Sequence, residues 1–237
     1  MMMNLTLYHL KQSRSQRTLW LLEELNLSYD LKIYQQHILE NEDDELKQFN
    51  PAAKFPTLVL HDDINTIPIV LTESSAIAEY CSHLTQLLGI QKLSHHEIID
   101  YYFWKNFADS SFMPNLALKQ IFTKIVLHTP FPIRILTRSI KRGFDHVFLN
   151  QSLEQQLQMI DSQLQNYLWI TGEHFTIADI LLWFPLKACI ELDRKYQQHP
   201  EIQRYISQIE SRPAFKTALI KGQWSAQTFQ EYWSGAN

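Results

Sequence analysis

The chain has 237 residues, 45% of them hydrophobic, which is enough for one large folded domain or two small ones. Its 21 basic and 25 acidic residues are interleaved and leave a net charge of −4, so we expect neither a nucleic-acid partner nor a membrane partner. The first dozen residues lack an apolar leader-like core and no run of about 18 apolar residues occurs, so we expect a cytoplasmic protein.

The glycines, cysteines and histidines of the sequence argue against several functional classes of protein. The five glycines form neither a phosphate-binding loop nor a Gly-x-Ser-x-Gly elbow, which argues against a nucleotide-binding protein and a serine hydrolase. Cys81 and Cys189 lie far apart within apolar helical patterns, so we interpret them as core residues and not as a redox pair. The ten histidines show no zinc-ligand spacing, and we expect no metal.

Strands and helices alternate in the predicted first part of the chain. A strand at Leu5–Tyr8 precedes a helix that should begin at Ser13, because Ser13 and Gln16 fit a capping box, and Asn26 suits the left-handed residue that ends it. The pattern then predicts a strand at Tyr29–Tyr34, a short helix or loop in the acidic run Glu40–Glu45, hairpin strands at Thr57–Leu60 and Ile67–Leu71, and a helix opening at Thr72–Ser75. This order is βαβ followed by ββα.

Only helices are predicted from Ser94 onward. Their expected ranges are Glu97–Leu127, Ile133–Leu149, Leu153–Tyr167, Ile177–Ile190, Glu201–Glu210 and Ala214–Gly222. Thr176 and Asp179 form a second capping box, flanked by Phe175 and Ile180 as a hydrophobic staple, and we interpret Asp179 as structural. We therefore predict an α+β domain over residues 1–88 and an all-α domain over residues 89–237. An aromatic tail, Gly222–Asn237, should pack over the body of the protein or over its pocket.

Two short motifs are predicted to form turns that bind a ligand. The first is Asn50-Pro51-Ala52-Ala53-Lys54-Phe55-Pro56-Thr57-Leu58, where Pro56 fixes the start and direction of the next strand. Whether the Phe55–Pro56 bond is cis cannot be decided from spacing. The second motif, Glu73-Ser74-Ser75-Ala76-Ile77, opens a helix, and its alternative interpretation is an ordinary helix capped by Thr72.

The order of these motifs after a serine-containing helix start closely resembles the glutathione S-transferase superfamily, over essentially the whole chain. The resemblance implies a thioredoxin-like first domain that binds the tripeptide glutathione, a helical second domain that lines an electrophile pocket, and a homodimer. Ala53 stands where many members have glycine.

The resemblance also implies roles for individual residues. Ser13 matches the catalytic serine of serine-type members, which donates a hydrogen bond to the glutathione thiolate; Ser15 is the main rival and Tyr8 comes behind it, while Ser13 as a plain cap stays compatible. Glu73 and Ser74 would bind the γ-glutamyl end, Phe55 with Pro56 would pair with the cysteinyl backbone, and Lys54 would face the glycyl carboxylate. The electrophile pocket, expected between the domains, would comprise Tyr8, Tyr101, Trp104, Phe107, Ser111 and Met113.

The function that follows is conjugation of glutathione to small hydrophobic electrophiles in detoxification, with reduction of organic hydroperoxides as a second activity. An alternative is a non-catalytic glutathione-binding or protein-interaction module of the same fold. Thiol–disulfide exchange is disfavoured because no cysteine lies at the first helix start. A basic stripe at Arg134, Arg138, Lys141 and Arg142 is either solvated or faces an anionic partner.

Overall fold

A four-stranded mixed sheet organises the first part of the chain in the computed structural model, which describes residues 4–35, 45–61 and 67–234. The strands are β1 (Asn4–Leu10), β2 (Tyr29–Tyr34), β3 (Thr57–His61) and β4 (Ile69–Thr72), in the order β2-β1-β3-β4. β1 pairs parallel with β2 and antiparallel with β3, and β3 pairs antiparallel with β4. The predicted βαβ-ββα order is confirmed.

Helices make up most of the remaining chain. They are α1 (Ser15–Glu24), α2 (Glu45–Phe49), α3 (Ser74–Thr85), α4 (His95–Phe107), α5 (Met113–His128), α6 (Arg134–Phe144), α7 (Asn150–Asn166), α8 (Ile177–Leu192), α9 (Pro200–Ser211), α10 (Pro213–Lys221) and α11 (Ala226–Ser234). Two π-helical turns, Ala108–Phe112 and Asp145–Leu149, connect α4 to α5 and α6 to α7. An α+β part followed by an all-α part is therefore the architecture of this chain.

The chain divides into two compact units, each with its own core. The first unit comprises residues up to Lys92 together with Ile209–Ser225, and the second comprises Leu93–Gln208 with the residues from Ala226 onward. The predicted functional division after residue 88 stays a prediction; the structure adds that α10 packs with the first unit.

α10 completes the core of the first unit. Phe215 packs edge-on against Trp20 of α1, with ring centroids 5.1 Å apart, and both side chains are buried. Arg212 donates two hydrogen bonds, of 2.6 and 2.7 Å, to the carboxylate of Glu24. The first unit therefore depends on residues from the far end of the sequence.

α8 forms the centre of the second unit, because its residues are apolar on nearly every side and are almost all buried. The predicted capping box at its start is present: Asp179 accepts hydrogen bonds from Thr176 N at 2.8 Å, Ile170 N at 2.9 Å and the Tyr205 hydroxyl at 2.9 Å. In the aromatic tail, Phe229 of α11 packs on Phe184 of α8. The described part of the tail is packed as predicted, and residues 226–234 of it are helical.

The start of α1 differs from the prediction. α1 begins at Ser15, not Ser13, and the capping box is wrong: its N-cap is Arg14, and no side chain caps it. Gln16 instead donates its side-chain N–H to Ala218 O of α10 at 2.8 Å. Most of the predicted acidic helix or loop, residues 40–44, lies outside the described residues.

Cys81 and Cys189 are buried and neither forms a disulfide, in agreement with their interpretation as core residues. Across the described ranges, no group of three or more His, Cys, Asp or Glu side chains is arranged to hold a metal ion. None of the helices in those ranges is long and apolar enough to cross a bilayer.

Candidate active site at one edge of the sheet

Three chain turns meet at one edge of the sheet in the first unit. Tyr8 near the end of β1 lies opposite Thr57 at the start of β3, and Thr57 lies opposite Thr72 at the end of β4. The turn after β1, the proline turn before β3 and the Glu73 turn after β4 are consequently neighbours. α1 and α3 both begin here, so two helix N-termini supply amide N–H groups and positive dipole ends to the same place.

The proline turn is held by side-chain hydrogen bonds. The Phe55–Pro56 bond is cis. Asn50 Nδ2 donates to Thr57 Oγ1 at 2.9 Å, and Thr57 Oγ1 donates to Lys54 O at 2.7 Å, so the turn is tied at both ends.

Side chains of the same turn differ in exposure. Lys54 is exposed, whereas Phe55 is half-buried with its ring 5.0 Å from that of Tyr34. Ala53 has φ 46°, a left-handed conformation that glycine adopts more easily. The turn therefore has the left-handed backbone conformation that glycine would adopt easily, although the residue at this position is an alanine.

The second turn holds a strained residue. Glu73 has φ 69° and ψ 120°, a sparsely populated combination that costs about 1–3 kcal/mol, and its side chain is exposed. Ser74, the first residue of α3, is buried, and the helix start has no side-chain cap. A capping role for Thr72 is not seen, since Thr72 ends β4. The first amides of α3 thus remain available to a carboxylate.

Ser13 and Ser15 lie in one hydrogen-bond network with His9. Ser15 Oγ is 2.7 Å from His9 Nδ1, 2.9 Å from Leu10 O and 2.9 Å from Ser13 Oγ, and it accepts from Leu10 N at 3.0 Å. On its other side, His9 Nε2 lies 3.1 Å from Gly222 O. Ser13 Oγ is 2.8 Å from Leu10 O and accepts from Ser15 N at 3.2 Å.

This network assigns the protons. Gly222 O can only accept, so His9 carries its proton on Nε2 and Nδ1 is an acceptor. Ser15, which is fully buried, then donates its one hydroxyl proton to His9 Nδ1, its shortest contact. Ser13 is half-buried, and its hydroxyl proton is the one that can turn to a ligand. Burial lowers the pKa of His9 to about 4, which keeps the ring neutral at pH 7.

The contacts of Tyr8 that the structure shows are with residues other than these serines. It is buried in a cluster with Leu46 and Val59, and its hydroxyl donates to Glu45 Oε1 at 2.7 Å. The structure therefore shows Tyr8 as a core residue with an occupied hydroxyl, and its place in an electrophile pocket stays a prediction.

The other residues predicted for the electrophile pocket belong to the second unit. Tyr101, Trp104, Phe107 and Met113 are buried, whereas Ser111 is exposed. Trp104 and Phe107 pack edge-on at 5.2 Å. The π-helical turn Ala108–Phe112 lies between the aromatic residues of α4 and Met113, and such turns are frequent at functional sites.

Comparison with known proteins agrees with this architecture. The family model "Glutathione S-transferase, N-terminal domain" matches residues 13–84, and "Glutathione S-transferase, C-terminal domain" matches residues 149–213. The crystal structure of a glutathione S-transferase from Actinobacillus pleuropneumoniae is 31% identical with a TM-score of 0.69, over 92% of this chain and 93% of that one. The chain belongs to the glutathione S-transferase superfamily.

Two further members of the superfamily cover nearly the same length. Glutathione S-transferase 3 of Schizosaccharomyces pombe is 29% identical over 221 residues, which are 92% of this chain and 87% of that protein. A glutathione transferase family member from Pseudomonas fluorescens, solved with two glutathione bound, shares the fold with a TM-score of 0.70 and 22% identity, over 91% of this chain and 92% of that one.

Sequence reasoning missed the part of the site that comes from distant residues. His9 and Gly222 are 213 positions apart, and no local pattern connects them. A weak signal was available in the position of His9, which directly follows the predicted strand Leu5–Tyr8 and precedes the serines; in the structure it lies within β1.

Proposed function

We propose that the protein is a glutathione transferase in which the Ser13 hydroxyl donates a hydrogen bond to the thiolate of bound glutathione. The observation that supports Ser13 over Ser15 is the commitment of the Ser15 proton to His9 Nδ1 at 2.7 Å. A thiolate would compete with Leu10 O for the Ser13 proton, and an anionic acceptor forms the stronger hydrogen bond.

A helix N-terminus and one hydrogen bond provide enough interaction energy to keep the glutathione thiol ionised. A free thiol has a pKa near 8.5, and each unit of lowering requires about 1.36 kcal/mol of preferential interaction with the anion. The N-terminus of α1 contributes about 0.3–2 kcal/mol and a hydrogen bond to a charged group about 1.5–3 kcal/mol. Together they lower the thiol pKa by about one to a few units, and Ser13 acts as donor and not as base.

The neighbouring turns would hold the rest of the tripeptide. Glu73 is exposed beside the uncapped start of α3, so its carboxylate would receive the γ-glutamyl ammonium while the Ser74 N–H receives the α-carboxylate. Phe55, before Pro56, would pair its backbone with the cysteinyl residue, and the exposed Lys54 would face the glycyl carboxylate.

The reaction proposed is attack of the thiolate sulfur on a small hydrophobic electrophile, which forms a carbon–sulfur bond and expels a leaving group or adds across an activated double bond. Reduction of an organic hydroperoxide at the same thiolate is a second proposed activity. The proposal includes the electrophile-pocket residues Tyr8, Tyr101, Trp104, Phe107, Ser111 and Met113. It also includes the homodimer that the resemblance implies, a role in detoxification, and the cytoplasmic location expected from the composition of the sequence.

Thiolate absorbance of bound glutathione against pH tests the assignment. Ser13→Ala should raise the pKa of the bound thiol by about one to two units and leave glutathione affinity nearly unchanged. The matched control is Ser15→Ala, which should lower the free energy of unfolding by about 1–3 kcal/mol because it leaves buried partners unpaired, but should leave the thiol pKa at the wild-type value.

The opposite pattern, with Ser15→Ala alone raising the thiol pKa, would assign the donor to Ser15. Glutathione that binds with an ordinary thiol pKa would favour the non-catalytic module. Thiol–disulfide exchange has little support, since burial raises the pKa of Cys81 to about 12.

A further inference from the structure

α6, in the second unit, is amphipathic and almost entirely exposed. Its apolar stripe follows intervals of three, four and four residues at Ile133, Leu136, Ile140 and Phe144. Leu136 and Ile140 are 62% and 55% exposed. A helix in a packed core would have buried this stripe.

The apolar stripe continues onto neighbouring segments. Phe144 packs against Phe122 of α5, with centroids 4.7 Å apart, and stacks with Phe148, which is exposed. α5 exposes three further aliphatic residues at intervals of three and four, Leu118, Ile121 and Ile125. Exposed apolar surface on this scale marks a surface that another body covers.

Positive charge is concentrated in the same segment. Residues 110–144 contain six Lys and Arg and no Asp or Glu, while the rest of the chain has 15 Lys and Arg against 25 Asp and Glu. Arg138 lies two positions from both Leu136 and Ile140, so at about 100° per residue it is on the opposite side of α6 from the apolar stripe.

The basic residues differ in their local partners. Lys141 pairs with Asp145 at 2.5 Å, and Arg134 donates to Thr129 O at 2.8 Å. Arg138 and Arg142 are exposed, and no acidic side chain in the described ranges lies within ion-pair distance of either. The positive charge of these two arginines is thus available to an external anionic partner.

We propose that α6 and the exposed flank of α5 bind peripherally to an anionic membrane surface. An apolar stripe opposite a basic face on a helix of low overall hydrophobicity is the pattern of helices that lie in the interface plane, with apolar residues among acyl chains and Lys or Arg on the polar face near anionic headgroups. The expectation of no membrane partner relied on the net charge of the whole chain, which conceals this segregation.

Two other kinds of partner fit the surface less well. Nucleic acid would neutralise the arginines but leave the isoleucines and leucines exposed. A second copy that joins through the same surface would bring the exposed Arg138 and Arg142 toward their counterparts, and no acidic residue occurs in residues 110–144 to pair with them.

Co-sedimentation of the full chain with vesicles tests the proposal. Binding is expected to vesicles that contain phosphatidylglycerol and to be much weaker with phosphatidylcholine alone, and high salt should reduce it. A basic residue near an anionic surface contributes about fivefold to binding, so Arg138→Glu with Arg142→Glu should lower the partition coefficient at least about 25-fold. Leu136→Glu with Ile140→Glu should lower it at least about tenfold.

Matched controls stand at exposed positions outside this surface. Ile220→Glu on α10 replaces an aliphatic residue that is 80% exposed, and Lys92→Glu with Lys216→Glu repeats the double charge reversal elsewhere. Both controls should bind vesicles as the wild type does, apart from a small effect of net charge. Circular dichroism and thermal melting confirm that each variant is folded.

Several results would overturn the proposal. One is absence of wild-type binding to phosphatidylglycerol vesicles at low salt; another is equal loss of binding in the control variants. If the Leu136→Glu, Ile140→Glu variant changes the oligomeric state by analytical ultracentrifugation without lipid, the surface is an interface between copies. If the wild type binds RNA but not phosphatidylglycerol vesicles, and the Arg138→Glu, Arg142→Glu variant loses the RNA binding, the surface is a nucleic-acid site.

Discussion

At the scale of single residues, the burial of His9 decides what the two serines can do. The ring lies between Ser15 Oγ and Gly222 O, and a neutral imidazole has one donor and one acceptor for these two partners. Protonation would turn Nδ1 into a second donor, so Ser15 Oγ would have to accept this hydrogen bond and turn its own proton to Leu10 O, 2.9 Å away. The low pKa of His9, about 4, therefore preserves the arrangement that leaves the Ser13 proton for a ligand.

The same pKa predicts a pH dependence of stability. The unfolded chain binds a proton at His9 as the pH falls below about 6.5, whereas the folded chain does so only near pH 4, so this contribution to stability is complete above that window and is lost as the pH falls through it. From about pH 7.5 to about pH 5 the loss is about 2 kcal/mol. Urea unfolding of the wild type and of His9→Asn measures it.

His9→Asn keeps an acceptor for Ser15 but does not titrate, so the difference between the two pH profiles isolates His9 from the carboxylates. Parallel profiles for wild type and variant would show that His9 is protonated equally in both states.

Residue roles that depend only on neighbouring residues could be predicted from the sequence. Roles that depend on a partner far away in the sequence could not. Asn26 ends α1 with φ 50°, as its position predicted, because a left-handed residue after a helix is a local requirement. Gln16 was misassigned as a capping residue because Ala218 O, its acceptor in α10, is 202 positions away.

At the scale of elements, two capping boxes begin helices in different surroundings and should differ in their energies. Asp179→Ala removes a buried acceptor of hydrogen bonds from Thr176, Ile170 and Tyr205, so it should lower the free energy of unfolding by about 3–5 kcal/mol. Ser94→Ala removes an exposed cap of α4 and should cost about 1 kcal/mol. Urea titration of both variants measures the two losses; equal losses would contradict the dependence on burial.

The presence of each helix could be predicted, because the spacing of apolar residues along a helix is a local pattern. The interruptions within helices could not be predicted. The predicted helix Glu97–Leu127 is α4 and α5 with a π-helical turn at Ala108–Phe112 between them, and Ile133–Leu149 ends in a second such turn. One extra residue per turn barely disturbs an apolar pattern, so periodicity predicts one continuous helix in both places.

At the scale of the whole molecule, the chain leaves the first unit after Lys92 and returns to it at Ile209. α10 then supplies the ring of Phe215 against Trp20, and Gly222, directly after α10, supplies the acceptor for His9. The serine network at the sheet edge is thereby tied to the C-terminal part of the sequence, and its integrity should depend on contacts more than 190 positions away.

Hydrogen exchange tests this dependence. Phe215→Ala should destabilise the first unit by about 3–5 kcal/mol, because it removes a buried ring from the face of Trp20. Amides of β1 and α1 should then exchange at least about 100-fold faster, while those of α8 in the second unit change less. The control is Ile220→Ala on the same helix, an 80% exposed side chain whose loss should leave exchange in β1 unchanged. Unaltered protection of β1 in Phe215→Ala would mean that the sheet and α1 hold together without α10, and that the His9–Gly222 hydrogen bond is dispensable for the start of α1.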